Sequence, residues 1–198
     1  YHHKYLELLR EACTKFNVHL IADEIAVGFG RTGTMFGFEQ AKITPDIICL
    51  SKGITGGYMT LSTILTTDDI YDAFYDEYEK LNAFLHSHSY TANPIACSAA
   101  NATLGLFKKK KVIENNKKLS LHMKKCFESL NDHPHVSDVR QKGMVLAIEL
   151  VKNKKKRLAY DWKERRGIKA YLHGLKNNVL MRPLGNVLYF MPPYVITK

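Results

Sequence analysis

The sequence predicts an α/β fold built on a mainly parallel sheet, followed by a smaller α+β unit. Two apolar, β-branched runs, VHLIADE and DIICLSKG, each close on one polar residue at a strand terminus, Asp23 in the first and Lys52 in the second. The stretch HKYLELLREACTKF has the periodicity of an amphipathic helix and feeds directly into the first of these strands. Beyond residue 112, strands and helices follow one another without a repeated βαβ order, which points to a small α+β unit.

The chain opens on Tyr1 with that helix already under way, so it reads as a fragment. Its 198 residues, 45% of them hydrophobic, suffice for one sizeable core or two small ones. No apolar run is long enough to span a bilayer and no signal peptide opens the sequence, so a cytoplasmic protein without a membrane partner is expected. Cys13, Cys49, Cys97 and Cys126 lack CxxC spacing and read as reduced small hydrophobes.

Between the two key strands lies Gly28-Phe29-Gly30-Arg31-Thr32-Gly33, formally a GxGxxG. A dinucleotide fingerprint must turn tightly from strand into helix, whereas Ile25, Ala26 and Val27 intervene here and Thr34-Met35-Phe36-Gly37 follows. These glycines are expected to shape an irregular loop over the active site. After Lys52, residues 58–66 read as a strand, 68–75 as a short helix capped by Thr67 or Asp68, and 76–82 as loop.

His86 and His88 form an HxH pair, but no third and fourth ligands follow at sensible spacing, so no metal site is expected. His2-His3 and His133-His135 are weaker signals still. Asn93-Pro94 marks a helix start, cap then proline, leading into IACSAANATLGLF, with Ser89 just upstream of this anion-attracting end.

A basic helix is expected over 112–130, strands over 136–140 and 144–151 around Gly143, a helix over 162–176, and short strands over 179–181 and 187–190. Arg182 follows the 179–181 run, where a guanidinium can hold a carboxylate through two parallel hydrogen bonds; a surface or helix-pairing role is the alternative. The net charge of +10 raises nucleic acid as a partner. The basic runs at 108–111 and 152–157 carry no interleaved aromatics for base stacking, so they read as solvated faces.

Asp23 and Lys52 carry the chemistry. In an open parallel sheet ligands bind beyond the carboxyl ends of the strands, so neighbouring strands would deliver a carboxylate and an amine to one crevice. That pair suits pyridoxal phosphate. A lysine amine condenses with the cofactor aldehyde, and an acid beside the pyridine nitrogen keeps it protonated as an electron sink. Each unit by which the carboxylate raises that nitrogen's pKa is worth about 1.4 kcal/mol. Gly53, Gly56 and Gly57 would let backbone approach the cofactor closely. On those residues alone, Asp23 as a turn or cap residue and Lys52 as part of a surface turn stay open.

Four ordered blocks, LIADEIAVGFGRTGTMFGFEQ, PDIICLSKGITGGY, HSHSYTANPIACSAA and LMRPLGNVLYFMPPY, resemble successive signatures of the class III, fold-type I aminotransferases. The SKGITGGY form and the last block are most similar to the biotin-pathway branch of that family. The resemblance implies part of a large cofactor-binding domain over residues 1–115, and a connecting helix with an incomplete small domain over 116–198. It implies a missing upstream portion that includes the first strands of the large domain, so the chain made alone is expected to be poorly soluble or unable to bind cofactor.

By the same resemblance Asp23 faces the pyridine nitrogen, Ile25 packs on the ring, and Lys52 is the covalent anchor and proton shuttle. Ser89 gives its hydroxyl to the cofactor phosphate of a partner subunit, which implies a homodimer; Ser87 and Ala92 stand where the family commonly has glycine. Arg182 holds the substrate carboxylate, with Tyr189 nearby. The implied acceptor is 8-amino-7-oxononanoate and the usual donor S-adenosylmethionine, although a lysine-using relative has similar motifs. The alternatives are a class III enzyme acting on ω-amino acids and a non-catalytic basic binding module.

Overall fold

The computed structural model describes residues 1–197. The chain divides into two compact units, one spanning Tyr1–Lys111 and the other beginning at Val112.

The first unit opens with helix α1 (His3–Lys15), whose first turn is capped by the His2 ring accepting from the Lys4 amide. None of its residues is fully buried. A polar clasp holds it: Arg10 Nη1 donates to Asp46 Oδ2 at 2.7 Å, and the Leu20 amide donates to the same oxygen at 2.6 Å. These donors, the Leu20 amide foremost and Arg10 next, hold the Asp46 carboxyl below the usual carboxylate range.

Because folding lowers this pKa, the clasp stabilises fully above the ordinary carboxylate range and is lost as pH falls through the folded value. Asp46→Ala is expected to lower stability by about 2 kcal/mol near neutrality, the scale of hydrogen bonds to a charged group. Urea unfolding of both proteins against pH should show that gap closing in acid.

Strand β1 (Ile21–Asp23) runs parallel to β2 (Ile47–Leu50), with Asp23 level with Cys49. Strand β3 (Thr63–Thr66) pairs with β2 antiparallel, so only the first pair of this sheet is parallel. No crossover helix separates β2 from β3, and a direct return of this kind gives antiparallel pairing. The strand expected over 58–66 begins only at Thr63. Upstream of it, Thr55 Oγ1 donates to the Met59 carbonyl at 2.6 Å and Ser51 Oγ to that of Leu61 at 2.7 Å, so hydroxyls occupy that backbone.

Helix α2 (Asp68–Asp72) follows Thr67, whose side chain makes no capping bond. It stops short of residue 75 and continues as turns. Helix α3 (Pro94–Lys110) begins where Asn93-Pro94 predicts, with Asn93 Oδ1 accepting from the amides of Ile95 and Ala96 at 3.0 and 3.2 Å. Phe29, Leu50, Ile54 and Ala100 form the core of this unit, with Met35, Phe36, Ile48, Leu61 and Phe107 packed against it.

Ala92, just before the cap, has φ +57°, a left-handed conformation that burdens any residue with a Cβ. Ala92→Gly relieves that strain but loosens the unfolded chain. A net gain of about 0.5–1 kcal/mol is expected, read as a higher urea midpoint.

The second unit starts with α4 (Val112–Phe127), which tightens into a 3₁₀ turn over Glu128–Asp132 where the sequence suggests helix to 130. Strands β4 (Val136–Lys142), β5 (Val145–Asn153), β7 (Arg182–Leu184) and β8 (Val187–Phe190) form an antiparallel sheet in the order β4-β5-β8-β7, and β6 (Leu158–Ala159) pairs with β5. Gly143, at φ +55°, turns β4 into β5. Val136, Leu146, Ile148 and Leu188 form the core, with Met123, Phe127 and Leu130 among the side chains packed against it.

Two local expectations are corrected. The single helix over 162–176 is a 3₁₀ turn (Trp162–Glu164) and α5 (Arg166–Lys176), separated by Arg165 at φ +50°. Residues 179–181 are not a strand. The Val179 amide closes the end of α5 by donating to the Gly174 carbonyl at 2.8 Å, and pairing starts only at Arg182.

Candidate active site

Strand β1 ends on Asp23, whose Oδ1 accepts from the Ile25 amide at 3.0 Å and so fixes the carboxylate in an Asx turn. The Glu24 amide still pairs across to the Cys49 carbonyl at 3.0 Å, so the two strands stay joined past the carboxylate. Strand β2 ends at Leu50, and Lys52 opens the 3₁₀ turn Lys52–Thr55. Since Asp23 is level with Cys49, Lys52 stands three residues further along the chain, just past the end of β2. Asp23 and Lys52 are exposed, and Ile25 is half-buried.

The backbone of Lys52 is left-handed, φ +42°, in a residue with a long side chain. Such a conformation costs on the order of 1–3 kcal/mol and persists only where the surroundings enforce it. Thr55, 1% exposed, and Ile54 anchor the turn in the core. Gly56 and Gly57 follow at φ +61° and +85°, and a Cβ on Gly57 would meet nothing within 4 Å. The space beside Gly57, two residues past the lysine turn, is open.

Glu24 escapes the reading by sequence, which passes from Asp23 to Ile25. It is 3% exposed, and its carboxylate accepts from the amides of Gly37 and Phe38 at 2.9 and 3.0 Å. An acid directly beside a strand-end Asp, ahead of a loop with glycines at 28, 30, 33 and 37, was the available signal. Such a loop leaves amide donors in need of an acceptor.

In the second unit Arg182 and Tyr189 are cross-strand partners in β7 and β8. Both line a groove of about 710 Å³, walled by Leu119, Met123 and Phe127 of α4 and by Phe190 and Pro192. A guanidinium on an apolar wall beside a phenol suits a ligand with a carboxylate and a hydrocarbon stem.

Ser89 lies in an exposed turn closed by the Thr91 amide donating to the His88 carbonyl at 3.0 Å. All four cysteines are free thiols. Among the described residues no three His, Cys, Asp or Glu side chains converge on a metal position, and no helix is long and apolar enough to cross a membrane.

The structure thus places a carboxylate at the carboxyl end of β1 and an amine-bearing residue just past the carboxyl end of the adjacent parallel strand β2, with Gly53, Gly56 and Gly57 following it. That donor set fits what a pyridoxal phosphate ring requires, a carbonyl-reactive amine and an acid for its nitrogen. The family model for aminotransferase class-III matches residues 1–198. The chain belongs to the class-III aminotransferases.

Within that family, the adenosylmethionine-8-amino-7-oxononanoate aminotransferase of Helicobacter pylori is 48% identical over 100% of this chain and 44% of its own length. The crystal structure of the enzyme of the same name from Methanocaldococcus jannaschii matches with a TM-score of 0.92 at 43% identity, covering 98% of this chain and 45% of that one. The omega transaminase from Pseudomonas jessenii, solved in complex with PMP, also gives 0.92, at 27% identity over 98% of this chain and 43% of that one. This class-III chain therefore has the α/β fold of the transaminases and spans less than half the length of these relatives.

Proposed function

We propose that the protein is a pyridoxal phosphate-dependent aminotransferase of biotin synthesis. It would convert 8-amino-7-oxononanoate to 7,8-diaminononanoate with S-adenosylmethionine as donor, as a homodimer in the cytoplasm. The observation that carries this reading is the placement of Asp23 at the end of β1 and of Lys52 just past the end of the adjacent parallel strand β2, in a chain matched throughout by the class-III family. The acceptor follows from the names of the relatives in the range of 38–48% identity.

Pyridoxal phosphate bound there would supply an electron sink for the carbon that loses its proton. Lys52 Nζ would hold the cofactor covalently at rest and, once displaced by a substrate amine, carry the proton to and from the reacting carbon. Asp23 would keep the ring nitrogen protonated, and Ile25 would pack against the ring. The Ser89 hydroxyl would bind the phosphate held by the partner subunit. Arg182, with Tyr189 beside it, would orient the keto acid through its carboxylate.

Residues 1–115 would form the later portion of the large cofactor-binding domain, and residues 116–198 the connecting helix and part of the small one. The experiment that tests this function is to offer the full-length protein 8-amino-7-oxononanoate and a panel of ω-keto acids, with S-adenosylmethionine or lysine as donor. Amination of 8-amino-7-oxononanoate in preference to the panel is expected. Preference for the panel would transfer the protein to the ω-amino acid branch, and the faster of the two donors identifies the amine source.

A further inference from the structure

We propose that Glu24 is a positioning residue for Lys52, acting through Phe36, Phe29 and Gly53; the proposal rests on the reading of Lys52 as the cofactor lysine. The Glu24 carboxylate is buried and binds the Gly37 and Phe38 amides, which pins the far end of the glycine loop to the end of β1. Its own carbonyl accepts from the Gly28 amide at 2.9 Å, which pins the near end. Neither glycine has room to spare. A Cβ on Gly28 would stand 2.7 Å from that carbonyl oxygen, and one on Gly37 3.2 Å from Glu24 Oε1.

Between the two pinned ends, Phe36 meets Phe29 edge to face at a ring separation of 5.7 Å. Phe29 is 3% exposed and itself left-handed, φ +56°. Its ring lies on Gly53 so closely that a Cβ there would fall 2.8 Å from Phe29 Cδ2 and 2.9 Å from Phe29 Cβ. Gly53 is the residue after Lys52, whose left-handed backbone needs an external constraint. The wall formed by Phe29 supplies it. A continuous path of contacts thus leads from the residue beside Asp23 to the residue beside Lys52, so the glycine loop sets where the amine stands relative to the carboxylate.

The test compares Glu24→Gln, Gly53→Ala and Asp46→Ala in the full-length protein loaded with pyridoxal phosphate. Two readings are taken on the folded fraction: the pH midpoint of the visible absorbance of the Lys52–cofactor linkage, and the rate at which that linkage forms. Gln keeps the shape of Glu24 but replaces one acceptor with a donor that faces a backbone amide. Ala at Gly53 pushes the lysine turn off Phe29.

Both variants are expected to shift the midpoint by at least about half a unit and to slow formation on the order of tenfold or more, because small misplacements of a reacting group are expensive. Asp46→Ala destabilises the same unit off this path and should leave both readings unchanged. Should Glu24→Gln fail to fold, Phe29→Leu, which keeps the core apolar but removes the ring wall, carries the same two readings. Wild-type values in the Glu24 and Gly53 variants, or an equal shift in Asp46→Ala, would overturn the proposal. A wild-type protein that forms no linkage at Lys52 would instead sink the underlying assignment.

Discussion

Lys52→Ala is expected to reduce transamination by at least about 10⁴-fold, the upper end of what a positioned acid–base group contributes. The amine would serve twice, as covalent anchor and as carrier of the proton at the reacting carbon, and no second lysine in the lysine turn can replace it. Added methylamine, which supplies a free amine but no tether, should restore a small part of the rate. Single-turnover measurement of amine transfer to the bound cofactor isolates the step. A variant within tenfold of the wild type would remove Lys52 from the chemistry.

Asp23→Asn is expected to lower the rate by about 10–1,000-fold, because an adjacent carboxylate raises the pKa of its partner by about one to three units and each unit is tenfold. The amide keeps the size of the side chain and can still accept from Ile25, as Asp23 Oδ1 does at 3.0 Å, so the strand end should survive. Asp23→Glu keeps the charge at a displaced position and should recover part of the loss. The check is the rate of proton removal from a deuterated donor, with circular dichroism to show that the fold is kept. An Asn variant equal to the wild type would mean that Asp23 is only a turn residue.

Much of the scaffold was legible because it is written in local signals. Asp23 and Lys52 each end an apolar run, and the structure puts those runs on adjacent parallel strands. Asn93-Pro94 starts a helix because the carboxamide caps it and the proline has no amide to satisfy. The antiparallel return of β3 was not legible, since strand direction depends on how the intervening chain is spent rather than on hydrophobic pattern.

The β7 boundary was misplaced for a similar reason. Val179 and Met181 look like strand residues, but the Val179 amide is committed to the end of α5 and Met181 packs over Gly174. Arg182 was visible as a charge after an apolar run, whereas its cross-strand pairing with Tyr189 required the register of β7 and β8. Glu24 was hidden by its neighbour. Its importance lies in two backbone amides thirteen and fourteen residues away, which no local window contains.

The most direct test of the central claim is to incubate the full-length protein with pyridoxal phosphate, reduce it with borohydride, digest it, and locate the modified lysine by mass spectrometry. The 29 Lys and Arg residues of this chain include many competing amines, so selectivity is informative. Modification concentrated on Lys52 is the predicted result. Modification scattered over surface lysines, or absent from Lys52, would contradict the assignment of Lys52 and Asp23 as the paired groups of an aminotransferase site.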